Sequence, residues 1–169
     1  MATHRISILQ AVQPDNTGRC WVEPYDVAAT NDIWKHGVIR LANPATNNHG
    51  WYGIFEVPQN YVSAAAFKLN WTTTAITGNA AFRLTYRIVT GSNTTSLDQT
   101  SQTEQVSSTT NAAPGAAHRK MDATLAVTAA NFSAGALVEY LIERFDSASN
   151  DTCAADITVH NASFEYADV

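Results

Sequence analysis

The chain has 169 residues, a size typical of one domain, and its hydrophobic content of 45% is enough to form a sizeable core. Only 15% of the residues are charged, and ten basic against fifteen acidic side chains give a formal net charge of −5. Because the basic residues are scattered singly apart from Arg119 and Lys120, the composition argues against a nucleic-acid partner, and no apolar run is long enough to predict a membrane span.

Apolar and polar residues alternate in one segment after another, which is the pattern of half-buried β-strands. In chain order the predicted strands are 6–12, 19–23, 33–41, 51–57, 67–73, 82–88, 102–107, 121–128, 137–145 and 155–166. Helical spacing is almost absent. About eight to ten strands at this spacing predict an all-β fold, a jelly-roll-like antiparallel β-sandwich that occupies residues 1–169 as one domain.

The strands at 67–73 and 82–88 show the alternation most clearly, and the turn Thr77-Gly78-Asn79 lies between them. This arrangement predicts a hairpin within one sheet that has a wet face. Shared parity within each strand also predicts the core, which consists of Phe67, Leu69, Trp71, Phe82, Leu84, Tyr86, Leu125, Val127, Val138, Tyr140, Ile157 and Val159.

The last predicted strand changes its parity along its length. Ile157 and Val159 have one parity while Phe164 and Tyr166 have the other, which predicts a β-bulge near His160.

The two cysteines, Cys20 and Cys153, form no CxxC pair, and a bridge between them would require Cα atoms within about 7 Å. We therefore predict that both are free buried thiols.

No catalytic motif is recognisable in the sequence. The five histidines lack the spacing of a helical zinc site, and a Gly-x-Ser-x-Gly elbow and a Gly-rich phosphate loop are missing. We predict that the protein is not an enzyme and has no catalytic residues and no cofactor. A glycosidase would need two facing carboxylates, for which the acids on predicted strands are Glu56, Glu139, Glu143 and Glu165, but acids are ordinary on wet sheet faces.

Oxygen-rich side chains cluster in the loop before the last strand. Asp146, Asp151 and Asp156 are candidate ligands for Ca²⁺, although the DxDxDG loop pattern is missing. Asp and Asn also favour turns, so a polar loop without a metal is the preferred interpretation.

Aromatic residues near predicted turns form a third set of candidates. Trp34 follows Asn31-Asp32, and Trp51 and Tyr52 follow Asn-Asn-His-Gly. Flat aromatic side chains stack on the faces of sugars, so these three residues would bind carbohydrate if they are exposed, although burial is the preferred interpretation.

Several segments together resemble a known group of proteins. They are Gly-Arg-Cys-Trp-Val-Glu-Pro-Tyr-Asp at 18–26, Asn-Asp-Ile-Trp at 31–34, Tyr-Gly-Ile-Phe-Glu-Val-Pro-Gln-Asn-Tyr-Val at 52–62, the strand pair at 67–88 and the final Phe-Glu-Tyr-Ala-Asp. This succession resembles uncharacterised jelly-roll structural proteins of tailed bacteriophages.

The resemblance implies a virion protein, namely a capsid decoration, head-fibre or tail-associated module that acts through protein–protein contacts. Its implied partners are further copies of itself, as a homotrimer or another symmetric oligomer, and a viral shell protein, and its implied location is the virion, assembled in the host cytoplasm. The alternative is a carbohydrate-binding module that uses Trp34, Trp51 and Tyr52.

Overall fold

The computed structural model describes residues 1–9, 13–14, 20–25, 36–43, 48–90, 104–145 and 150–168. Its strands in these ranges are β1 (Thr3–Ser7), β2 (Gln13–Pro14), β3 (Cys20–Pro24), β4 (Gly37–Leu41), β5 (His49–Glu56), β6 (Ser63–Thr73), β7 (Asn79–Val89), β8 (Gln105–Ala112), β9 (Met121–Ala126), β10 (Leu137–Arg144) and β11 (Ile157–Ala167). A short 3-10 helix, Ala129–Asn131, lies between β9 and β10. Within the described ranges no helix has the length and apolar character needed to span a membrane.

The strands form two antiparallel sheets that pack face to face. The six-stranded sheet has the order β3-β4-β11-β6-β9, with β1 paired to the C-terminal half of β11, and the five-stranded sheet has the order β2-β5-β10-β7-β8. From β4 to β7, and again from β8 to β11, successive strands alternate between the two sheets. This confirms the predicted jelly-roll-like β-sandwich.

The predicted hairpin between the strands at 67–73 and 82–88 is wrong. β6 lies between β11 and β9 in one sheet, whereas β7 lies between β10 and β8 in the other. The connection 74–78 therefore crosses the sandwich, and Trp71 and Phe82 pack edge to face across the core with ring centroids 5.5 Å apart. An amphipathic strand buries its apolar face equally well in either arrangement, so the alternation alone does not identify the partner strand.

The core lies between the sheets and contains the residues that the parity pattern predicts. Trp71 and Leu84 are 0% exposed, and the one predicted core residue that is only partly buried is Val127, just beyond the end of β9. The register of β11 against β6 shifts between Val159 and Asn161, which confirms the predicted β-bulge.

Both cysteines are buried and neither forms a disulfide, which confirms the prediction made from their spacing. The Sγ atom of Cys153 lies 3.7 Å from the Oγ1 atom of Thr73 and 3.7 Å from the carbonyl oxygen of Ala155.

Candidate functional site

The outer face of the five-stranded sheet carries a shallow groove. Its volume is about 630 Å³, within the range typical of small-molecule sites. The groove is lined by β5, β7 and β10, with Glu104 directly before β8. Below we call this surface the outer groove.

The antiparallel register arranges the groove side chains in rows that run across the strands. Tyr52, Leu141, Thr85 and Val106 are successive cross-strand partners on β5, β10, β7 and β8. With strands about 4.8 Å apart, this row is roughly 14 Å long. Tyr52 at one end is 50% exposed and Val106 at the other is 65% exposed. The row is therefore an accessible strip with an aromatic ring at one end.

Ion pairs border this strip on both sides. Arg83 donates hydrogen bonds to the Oε2 atom of Glu143 from Nε at 2.9 Å and from Nη2 at 2.7 Å. Arg87 forms the equivalent pair with Glu139. Each pair joins direct cross-strand partners of β7 and β10, an arrangement that stabilises strand pairing. The two pairs hold polar groups in fixed positions and together carry no net charge.

The floor of the outer groove includes Gly53, which lies between Tyr52 and Ile54. A Cβ atom at Gly53 would lie 2.1 Å from the hydroxyl oxygen of Tyr140, so only glycine leaves room for the Tyr140 ring on the inner side. The Tyr140 hydroxyl donates a hydrogen bond to the carbonyl oxygen of Ile8, and burial raises the pKa of Tyr140 to about 12. Tyr140 therefore supports the groove from below, and Tyr52 supplies the exposed ring.

The acids on the predicted strands do not form the facing pair that a glycosidase needs. Glu139 and Glu143 are four residues apart on one strand, about 13 Å along it, whereas the two catalytic carboxyls of glycosidases are about 5–9.5 Å apart. Both are also held by arginines. Glu165 lies on the other sheet and bonds to Arg5, and Glu56 accepts a hydrogen bond from Gln59.

Of the three aromatic residues predicted to bind carbohydrate, Tyr52 is exposed in the outer groove. The prediction for Trp51 is wrong, because this side chain is 0% exposed and packs in the core. Neighbouring residues of a strand point to opposite faces, so Tyr52 and Trp51 cannot both be on the surface. Trp34 lies outside the described residues.

The candidate metal ligands have other partners. Both carboxylate oxygens of Asp151, the second of these candidates, accept hydrogen bonds from Arg144, at 2.8 Å each. Asp156 accepts a hydrogen bond from the backbone N–H of Asn43 at 2.8 Å. Asp146 lies outside the described residues. In the part of the chain that the structure describes, no group of three or more His, Cys, Asp or Glu side chains could hold a metal ion.

Sequence reasoning did not identify the two arginines of the outer groove. Arg83 and Arg87 are four residues apart on β7, and Glu143 and Glu139 are four residues apart on β10. Equal spacing of opposite charges on two predicted strands is a signal that the strands pair in antiparallel register, and it would have located the borders of the groove.

No family model matches the chain, and no curated protein sequence matches it. Among solved structures, the fold is similar to a Clostridium thermocellum xylanase chain, Xyn10B, that holds CBM22-1 and GH10 modules complexed with xylohexaose, with a TM-score of 0.50, 9% identity and 94% of the present chain covered. The present chain spans about a quarter (27%) of that chain.

Two smaller proteins are similar over almost their full length. A family 35 carbohydrate-binding module from Clostridium thermocellum has a TM-score of 0.46 and 13% identity, with 99% of each chain covered. A β-1,3-glucan-binding CBM6 from Bacillus halodurans has a TM-score of 0.48 and 15% identity, with 97% of this chain and 96% of that chain covered. At 9% identity the likeness to the Xyn10B chain shows the fold alone.

Proposed function

We propose that the chain is a non-catalytic carbohydrate-binding domain that holds a glycan in the outer groove. The observation that carries this proposal is the exposed Tyr52 ring at the end of an accessible strip with polar groups fixed along both sides. A sugar has an apolar C–H face and a rim of hydroxyl groups. Such a ligand fits a site that combines an aromatic surface with a few well-placed polar groups.

The charges of the outer groove favour a neutral glycan. Arg83 is neutralised by Glu143 and Arg87 by Glu139, so neither arginine is a free cation for an acidic sugar. Each pair keeps donors and acceptors at the groove wall, and these can bind hydroxyl groups without a buried unpaired charge. The xylanase chain that shares this fold was solved with xylohexaose, which makes xylo-oligosaccharides the first ligands to test.

The proposal predicts that Tyr52→Ala lowers glycan affinity at least about tenfold, because the variant removes the exposed stacking surface. Binding is measured by isothermal titration with a neutral oligosaccharide selected on a glycan array. Tyr52→Phe keeps the ring and should bind within about twofold of the unmodified chain.

Trp21→Ala is the matched control, because it removes an aromatic side chain from the six-stranded sheet and should leave binding unchanged. The proposal is contradicted if no neutral glycan on the array binds, or if Tyr52→Ala binds as tightly as the unmodified chain.

A second candidate function is the virion structural role, which stays a prediction. The observation that favours it is the edge strand β8, which pairs with β7 on one side and exposes every second residue, including Val106. An exposed edge with an apolar side chain can pair with a strand of another chain. In this role the chain would form a symmetric oligomer and attach to a viral shell protein.

We expect self-association in this second case, and Val106→Lys should weaken it by placing a charge at the centre of the contact. Light scattering coupled to size-exclusion chromatography gives the molecular mass of the unmodified chain and of the variant. A monomer at high concentration would argue against assembly through β8.

A further inference from the structure

Two histidines meet at the six-stranded sheet, on the side of the sandwich away from the outer groove. His36 directly precedes β4, and His160 lies on β11 at the β-bulge. The Nε2 atom of His36 is 2.8 Å from the Nδ1 atom of His160, and the two ring centroids are 5.1 Å apart. The two imidazoles thus point one nitrogen each at the other.

Contacts with neighbouring strands fix the position of the His160 ring and of the His36 backbone. The second ring nitrogen of His160, Nε2, lies 2.8 Å from the Oγ1 atom of Thr72 on β6. The backbone N–H of Tyr25 donates a 2.7 Å hydrogen bond to the carbonyl oxygen of His36, and the Tyr25 ring packs edge-on against His160 with centroids 4.6 Å apart. Histidines that bind metals typically have their far nitrogen held by an oxygen in this way, which orients the ring.

We propose that His36 and His160 form a binding site for an exchangeable divalent transition-metal ion, of the Zn²⁺, Ni²⁺ or Cu²⁺ class, which imidazole ligands suit. Two imidazoles on one tetrahedral ion, with bonds of about 2.0–2.1 Å, have nitrogens roughly 3.4 Å apart and ring centres about 5 Å apart. The ring centres already have this separation. A turn of the exposed His36 ring out of its head-on contact with His160 opens the gap between the two nitrogens from 2.8 Å to about 3.4 Å.

Water would complete the coordination, because the described residues contain no third His, Cys, Asp or Glu ligand at this point. A site with two protein ligands and open positions binds an ion more weakly than a closed site with four, and the ion exchanges with solvent. The site does not use the outer groove. The proposed metal binding can therefore be tested separately from the proposed glycan binding, and either can be absent without the other.

The test uses the tag-free chain. The probe is Co²⁺, because it absorbs visible light and, like Zn²⁺, Ni²⁺ and Cu²⁺, is bound by imidazole ligands. We expect one Co²⁺ per chain, a visible absorption band that Zn²⁺ abolishes by displacement, and a higher melting temperature in Zn²⁺, because a ligand that binds only the folded state stabilises it. A simple hydrogen bond between the two rings would give none of these signals.

The variants His36→Ala and His160→Asn should each lower Co²⁺ affinity at least about tenfold. His36 is exposed, so its replacement should leave the fold intact, and Asn at position 160 keeps a polar partner for Thr72. The control is His118→Ala, which removes another exposed histidine and should leave Co²⁺ binding unchanged. The proposal is overturned if the unmodified chain binds no Co²⁺ at one equivalent, or if His36→Ala binds it equally well.

Discussion

Replacing Arg144 with Met is expected to lower the free energy of unfolding by about 3–5 kcal/mol. The side chains of Arg144 and Asp151 are 0% and 1% exposed, and two 2.8 Å hydrogen bonds join them. Removing the guanidinium leaves the Asp151 carboxylate buried with no positive partner. A buried charge of this kind is far more costly than an exposed one.

The Arg144 side chain also holds the backbone that leads into β11. Its Nη1 atom donates a 2.7 Å hydrogen bond to the carbonyl oxygen of Ala155, and its Nη2 atom donates one to the carbonyl oxygen of Cys153. Loss of the side chain leaves these acceptors without that partner. We therefore expect the double variant Arg144→Met with Asp151→Leu to recover only part of the lost stability.

Urea denaturation followed by circular dichroism measures both effects. Lys120→Met is the control, because the side chains of Lys120 and Asp122 are 65% and 68% exposed and such a surface pair contributes at most about 1 kcal/mol. If Arg144→Met costs no more than this control, the buried ion pair is not formed in solution.

The sequence predicts the faces of the strands well, because the parity of apolar residues depends on neighbours within one strand. Even the bulge in β11 is visible, since Val159 and Phe164 have opposite parity and both are buried. The parity of apolar residues does not predict the partner of each strand, because strand pairing depends on contacts between residues distant in sequence. β6 and β7 are an example. A hairpin within one sheet and a connection that crosses between the two sheets have the same local pattern of alternating apolar residues around a turn.

The outer groove was harder to predict for the same reason. On β5 both parities contain apolar residues, with Trp51 and Phe55 on one face and Tyr52 and Ile54 on the other, so the alternation does not decide which face is exposed. Of the predicted set, Tyr52 is accordingly exposed and Trp51 is buried. Leu141 and Thr85 complete the strip only because β10 lies between β5 and β7, an order that no local feature of the sequence reveals.

Leu84→Ala is expected to lower the free energy of unfolding by about 2–5 kcal/mol, because Leu84 is 0% exposed at the centre of β7 and its truncation leaves a cavity. Its cross-strand partner on β10, Ile142, is 0% exposed as well. The neighbouring substitution Thr85→Ala changes a side chain on the outer face and should cost about 1 kcal/mol or less.

The comparison of these two neighbours tests the register of the whole strand, since a shift of one residue would exchange their positions. Both variants are measured by urea denaturation, and equal m-values are required so that the midpoints report stability alone. A larger loss for Thr85→Ala than for Leu84→Ala would place Thr85 in the core and Leu84 on the surface. In that case the outer groove could not exist as described, because Thr85 forms part of it.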